Sequence, residues 1–142
     1  MSAANIAVAR AAWAHLAQGH RSGEFAPYLA MLSEDYEFSI PVGPFRGLNR
    51  GKVRAEAFFA AVAAAKPNLT YREPIRVCAS ADTVVIEFDD DGDFGGYAYK
   101  NRIAASFDIR DGLITAYREY FGDIDLESIA LMATAAASTE GS

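Results

Sequence analysis

Residues 96–121 read GYAYKNRIAASFDIRDGLITAYREYF, and their pattern predicts a long antiparallel hairpin. Tyr97, Tyr99, Asn101, Ile103, Ala105 and Phe107 alternate with Ala98, Lys100, Arg102, Ala104, Ser106 and Asp108, the period of two that a strand with one buried face requires. Asp111-Gly112 supplies the turn, because glycine tolerates the positive φ of a tight hairpin. The returning strand, 113–121, sets an ionisable pair, Arg118-Glu119, between aromatics. Which of the two faces the core depends on the loop. A three-residue loop, Arg110 to Gly112, puts Ile109 opposite Leu113, Ala105 opposite Tyr117, Ile103 opposite Glu119 and Asn101 opposite Phe121. A two-residue loop slips the pairing by one and turns Arg118 and Tyr120 inward. The first register is preferred. It gathers Tyr97, Tyr99, Asn101, Tyr117, Glu119 and Phe121 on one face and leaves Lys100, Arg102, Asp108 and Arg118 on the other.

Outward from the hairpin, the chain begins with helical spacing over 5–18, where Ile6, Ala9, Trp13, Leu16 and His20 form one apolar stripe. A short helix is expected over 24–32, with Pro27 in its first turn. Residues 36–40, YEFSI, read as a strand ended by Pro41. PVGPFRGLNRG reads as a loop on its prolines and glycines. A third helix is expected over 50–66, packing Val53, Phe58, Phe59 and Val62 on a sheet. Residues 69–79 read as a strand interrupted by Pro74, at an edge or a bulge. Residues 83–88 form an apolar strand, and DDDGDFGG reads as a solvated acidic turn. A last helix, over 125–136, starts on an Asp cap. Helices massed early and strands massed late predict a single α+β domain over 1–142, a curved antiparallel sheet wrapped around the N-terminal helices, with one cone-shaped pocket.

Half of the 142 residues are apolar, enough to bury a core without staples. A net charge of −6 with no run of Lys or Arg argues against nucleic acid as a partner. No apolar run is long enough for a bilayer, and MSAANIAVAR lacks the pattern of a secretory leader. The lone Cys78 has no intramolecular partner, which fits a reducing compartment. A cytoplasmic protein is the expectation.

The order of elements, the strand ending in IPVGPFRG (40–47) and the segment AYREYFGDID (116–125) resemble the SnoaL-like and ketosteroid-isomerase-like superfamily, which shares the cone-shaped fold of nuclear transport factor two. The resemblance covers nearly the whole chain. It implies a small-molecule pocket and directs Tyr117, Glu119 and Phe121 into it. Ketosteroid isomerases carry a catalytic Asp just before the Pro-Val-Gly segment, where this chain has Ile40. Their oxyanion-hole Asp falls at Ile103, and their helix-one Tyr falls near Ala12, beside Trp13. Ketosteroid isomerisation is therefore not expected. Nor does the chain show the Asp-Arg-Asp set of limonene epoxide hydrolases. The likeness is nearer to SnoaL-like cyclases and phenazine-biosynthesis proteins; in the latter a Glu in a similar REY context is an acid–base group, which implies that role for Glu119.

Glu119 is the candidate catalytic residue. A carboxyl among Tyr117, Phe121 and Tyr99 loses solvation in its charged form, so its pKa rises toward neutrality, where it can exchange a proton with a carbon acid. The competing possibility is a surface ion pair. Tyr99 and Asn101 are candidate substrate-orienting donors, with Tyr117, Phe121, Trp13, Tyr28 and Phe58 as further substrate-binding residues; Tyr97 is assigned to the core. His15 is expected in solvent and His20 at the end of the first helix, where imidazolium meets the negative pole. Cys78 reads as a small buried hydrophobe. Asp89 to Asp93 do not make a calcium loop, because the twelfth position is Lys100. No metal or cofactor is expected. The functional expectation is a cofactor-free isomerase, cyclase or dehydratase acting on a small apolar carbonyl compound. The alternative is a non-catalytic ligand-binding or scaffold protein. A homodimer is expected through the outer sheet face that bears Arg102, Ser106, Arg118 and Tyr120.

Overall fold

The computed structural model describes residues 2–66, 68–94 and 96–141. Helices α1 (Ser2–Ser22) and α2 (Ala26–Leu29) lead into strand β1 (Leu32–Ile40), β2 (Gly47–Arg50) and helix α3 (Lys52–Ala65). Strands β3 (Asn68–Tyr71), β4 (Arg76–Ser80), β5 (Thr83–Phe94), β6 (Tyr97–Arg110) and β7 (Leu113–Phe121) follow, and helix α4 (Leu126–Gly141) comes last. The seven strands form one open, curved sheet in the order β2-β1-β7-β6-β5-β3, with β4 also paired to β5. Both segments flanking Pro74 pair with β5, which keeps the proline out of a central ladder.

Several boundaries differ from expectation. The second helix is a single turn, and β1 begins at Leu32 rather than at residue 36. The loop after Pro41 closes into a short hairpin, because β2 pairs antiparallel with β1. The sheet is mixed: β1 runs parallel to β7. The last helix extends to Gly141, and Asp125 caps it through a 2.7 Å hydrogen bond from the Ser128 amide to Oδ1.

The central hairpin corrects the expected register while keeping its faces. The loop is two residues long: Arg110 pairs with Leu113, and Asp111 and Gly112 both have positive φ, at 53° and 76°. That turn alone would point Arg118 inward. A bulge intervenes, since Ile109 pairs with Ile114 but Asp108 pairs with Ala116, so Thr115 is an extra residue in β7. Its Oγ1 donates to the Asp108 carbonyl at 3.3 Å. Beyond the bulge Tyr117 lies opposite Phe107, Glu119 opposite Ala105 and Phe121 opposite Ile103. Tyr117 and Glu119 thus face inward, two residues away from the expected partners.

The acidic run is strand, not turn. β5 continues through Asp89 to Asp93, pairing Asp89 with Arg102 and Asp91 with Lys100. Opposite charges directly across a ladder stabilise it, and Arg102 and Arg72 bind Asp89 and Asp91 on the outer face at 2.7 Å. Glu87 also points outward and pairs with Arg76. The even positions Val84, Ile86, Phe88 and Asp90 all point inward and are buried.

α1 packs on β3 to β6 through Ala9, Ala12, Leu16 and Ala17, whose small side chains let the helix approach closely. α3 lies against β1, β2 and α4, burying Ala55 and Phe59, while Val53 is 80% exposed instead of packed. Cys78 is exposed on β4, contrary to its assignment as a buried residue. Among the described residues no helix is long and apolar enough to cross a membrane.

Gly92 allows β3 to meet β5: a Cβ there would stand 1.6 Å from the backbone oxygen of Asn68, whereas at Gly122 the nearest atom is 3.4 Å away. Gly92→Ala is therefore expected to lose about 1–3 kcal/mol in urea unfolding, the cost of forcing a packed backbone apart. Gly122→Ala should stay within about 0.5 kcal/mol of the parent.

Candidate functional site

Between helices and sheet lies a cavity of about 150 Å³. Leu16 and His20 of α1, Phe58, Phe59 and Val62 of α3, and Met132 of α4 form one side, and the loop residues Val42, Pro44 and Phe45 close another. The sheet contributes Leu69, Tyr71, Asp90, Tyr99, Ile103, Tyr117, Glu119 and Phe121. The wall is chiefly apolar and aromatic, with its two carboxyl groups on β5 and β7, either side of β6.

Glu119 is the acid that the bulge turns inward. Tyr117 donates its hydroxyl to Oε1 at 2.7 Å. The carboxyl keeps partial exposure, but toward the cavity, so burial raises its pKa and the Tyr117 bond offsets only part of that rise. Tyr117 itself stays a neutral donor. Its own pKa is driven far up by burial and then by the charge of Glu119.

A second acid, Asp90, shares the wall. It is 2% exposed, accepts a hydrogen bond from Tyr99 at 3.3 Å on Oδ2, and has no partner on Oδ1. Burial first, and then the charge of Glu119, raise its pKa to about 7 against the lowering by Tyr99. Asn101 orients this pair: its Nδ2 donates to the Tyr99 oxygen at 3.2 Å, so the Tyr99 proton is directed at Asp90. Asn101 Oδ1 is in turn held by the Asp123 amide at 3.2 Å.

His20 lies in the last turn of α1, as expected, but not as an imidazolium facing the helix pole. Its ring sits against Phe25 and Tyr71, with centroids 5.3 and 5.1 Å away. Burial lowers its pKa to about 4, so the imidazole is neutral, and Nδ1 has no partner. His15 is half-buried rather than in open solvent.

The sequence-derived candidates divide accordingly. Glu119, Tyr99, Tyr117, Phe121 and Phe58 line the cavity. Asn101 does not, and acts on it through Tyr99. Trp13 stands behind the wall, packed on Tyr71 and Phe88 at 5.9 and 5.6 Å. Tyr28 is fully buried and shares a 2.8 Å hydroxyl contact with Tyr36. Tyr97 is half-exposed, not core, with its hydroxyl 3.5 Å from Asp125. Asp90, Tyr71 and Phe45 are wall residues that sequence reading passed over. The parity of Val84, Ile86 and Phe88, extended one step, points to Asp90. Among the described residues no three His, Cys, Asp or Glu side chains cluster to hold a metal.

The family model described as the SnoaL-like domain matches residues 9–117, and the chain belongs to that family. An NTF2-like protein from Anabaena variabilis is 43% identical over 87% of this chain and 92% of its own, with a TM-score of 0.80. TerC, co-crystallised with polyporic acid, is 19% identical over 91% of this chain and 97% of its own, with a TM-score of 0.70. An LEH-like epoxide hydrolase from M. tuberculosis is 17% identical over 99% and 96%, with a TM-score of 0.64. At such identities the last two share the fold alone. No curated protein matches the chain.

The raised pKa of Asp90 has a sign. The folded state holds this proton up to about pH 7, whereas the unfolded chain releases it near the ordinary carboxylate value, about 4. The contribution of Asp90 to stability therefore falls as pH rises through that window and stays unfavourable above it. Asp90→Asn should flatten the decline, giving a higher melting temperature than the parent at pH about 8 and little gain at pH about 4. An unchanged pH dependence of melting would place the shared proton elsewhere.

Proposed function

We propose that the cavity is the active site of a cofactor-free acid–base enzyme, of the isomerase, cyclase or dehydratase type, acting on a small, mostly apolar carbonyl compound. The observation that supports this most is the carboxyl of Glu119 facing an aromatic cavity with, among the described residues, only the Tyr117 hydroxyl bonded to it. The charge of Glu119 opposes the ionisation of Asp90. As a carboxylate, Glu119 breaks a C–H bond next to the substrate carbonyl and takes the proton, while the electron pair moves onto the carbonyl oxygen as an enolate. Where a C=C bond adjoins the enolate, returning the proton at its far carbon completes an isomerisation; where a second carbonyl of the same molecule is in reach, attack of the enolate carbon on it closes a ring, and the proton held by Glu119 passes to the oxygen that receives the displaced electron pair. Tyr99, positioned by Asn101, orients the substrate from the neighbouring strand. That TerC was crystallised with polyporic acid supports a small-molecule occupant by likeness of fold only.

The test uses a ring of fitting size. In deuterium oxide, α-proton exchange of cyclohexanone followed by NMR should be faster with the parent protein than with buffer alone. Glu119→Gln should lose about 10²–10⁴-fold of that acceleration, the usual contribution of a general base. Exchange retained in the Gln variant removes Glu119 from the chemistry.

We also propose a homodimer through the outer sheet face in a cytoplasmic setting. That face neutralises its own charges: Arg102 binds Asp89, and Arg118 binds Asp108 at 2.5 Å and Ser106 at 3.0 Å. Tyr120 stands 57% exposed among them. A self-neutralised face can meet its own copy without repulsion. Sedimentation equilibrium should return twice the chain mass, and Tyr120→Glu should shift it toward one. A monomer at high concentration overturns the pairing.

A further inference from the structure

We infer that the carbonyl compound taken by this cavity is a small cyclic cation, one whose single ring also bears a protonated nitrogen, and that carboxylates and phosphate esters are excluded. The inference rests on reading the cavity as a ligand site; the proton chemistry assigned to Glu119 is a separate matter.

Charge balance comes first. Asp90 on β5 and Glu119 on β7 are two acids on one wall, and among the described residues no Lys or Arg lines the cavity. The other polar groups facing it are the hydroxyls of Tyr71, Tyr99 and Tyr117 and the neutral imidazole of His20. The arginines of the sheet are committed to acids on its outer face, and Arg54 lies over the Phe45 ring, held by Asn49 at 3.0 Å. A buried carboxylate without a counter-charge is costly, and a ligand ammonium supplies what the protein lacks. An anionic ligand would add a further negative charge at low dielectric.

The unfilled hydrogen-bonding capacity agrees. Asp90 Oδ1 is buried on the cavity wall with no partner, and Tyr117 holds only Oε1 of Glu119. Both want donors, and an ammonium has donors and no acceptor. Shape and surface agree as well. Phe58, Phe59 and Phe121 line it with aromatic surface, which attracts a cation, and about 150 Å³ takes one benzene-sized ring.

Benzylamine and its isostere benzyl alcohol, with the slightly larger benzoate, probe the three charge states by calorimetry on the intact chain. At pH about 8 benzylamine should bind about tenfold tighter than benzyl alcohol, and benzoate more weakly than either. Benzylamine affinity should fall as pH drops to about 5.5 and Asp90 takes up its proton. Asp90→Asn, which keeps the volume and can still accept from Tyr99, should weaken benzylamine several-fold and leave benzyl alcohol unchanged. Should that variant fail to fold, Glu119→Gln tests the second carboxyl in the same way. Equal affinities for amine and alcohol, binding that strengthens toward acid, or no binding of any probe at millimolar concentration each overturn the inference. Because the measurement is binding alone, it can fail while cyclohexanone exchange persists, and it can hold while exchange is absent.

Discussion

One extra residue in β7 sets the character of the interior. A two-residue turn joins β6 to β7, and with regular pairing it would have sent Arg118 into the cavity and Glu119 to the outside. Thr115 breaks the ladder once and restores the parity, so the acid faces the aromatics and the arginine reaches Asp108 on the outer face. The bulge and the turn depend on each other. Asp111 and Gly112 tolerate the positive φ of the tight loop, and the bulge corrects the face that this loop would impose.

With the faces set in this way, the sheet sorts its charges by side. Outward positions on β5, β6 and β7 form ion pairs across neighbouring strands, which cost little to keep in contact with water. Inward positions are mostly apolar, and the two carboxyl groups among them, Asp90 and Glu119, lie where burial penalises their charge. A tyrosine hydroxyl donates to each, Tyr99 to one and Tyr117 to the other. Nothing in the packing requires two acids there, since an apolar residue at either place would fold more easily. Their presence is therefore the feature from which ligand chemistry is read.

The family relation defines the fold and leaves chemistry to the particular side chains. The positions at which ketosteroid isomerases place their acids hold Ile40 and Ile103 here, and both isoleucines line the cavity. The acidic groups of this cavity come from β5 and β7.

What the amino-acid order by itself determined is local. Alternation over 97–107 and over 117–121 marked the two faces of the hairpin, Asp-Gly marked its turn, and the spacing of Ala9, Leu16 and His20 marked the buried stripe of α1. These signals lie within a few residues of one another, and strand and helix periods follow from backbone geometry. Only the tertiary structure decided that the acidic run from Asp89 to Asp93 is strand, because its stability comes from Arg72, Lys100 and Arg102 on neighbouring strands. It also decided that Asp90 shares a cavity with Glu119 and that Asn101 reaches that cavity only through Tyr99. Each of these depends on pairing between segments far apart in the chain, where a shift of one or two residues changes which side chains meet.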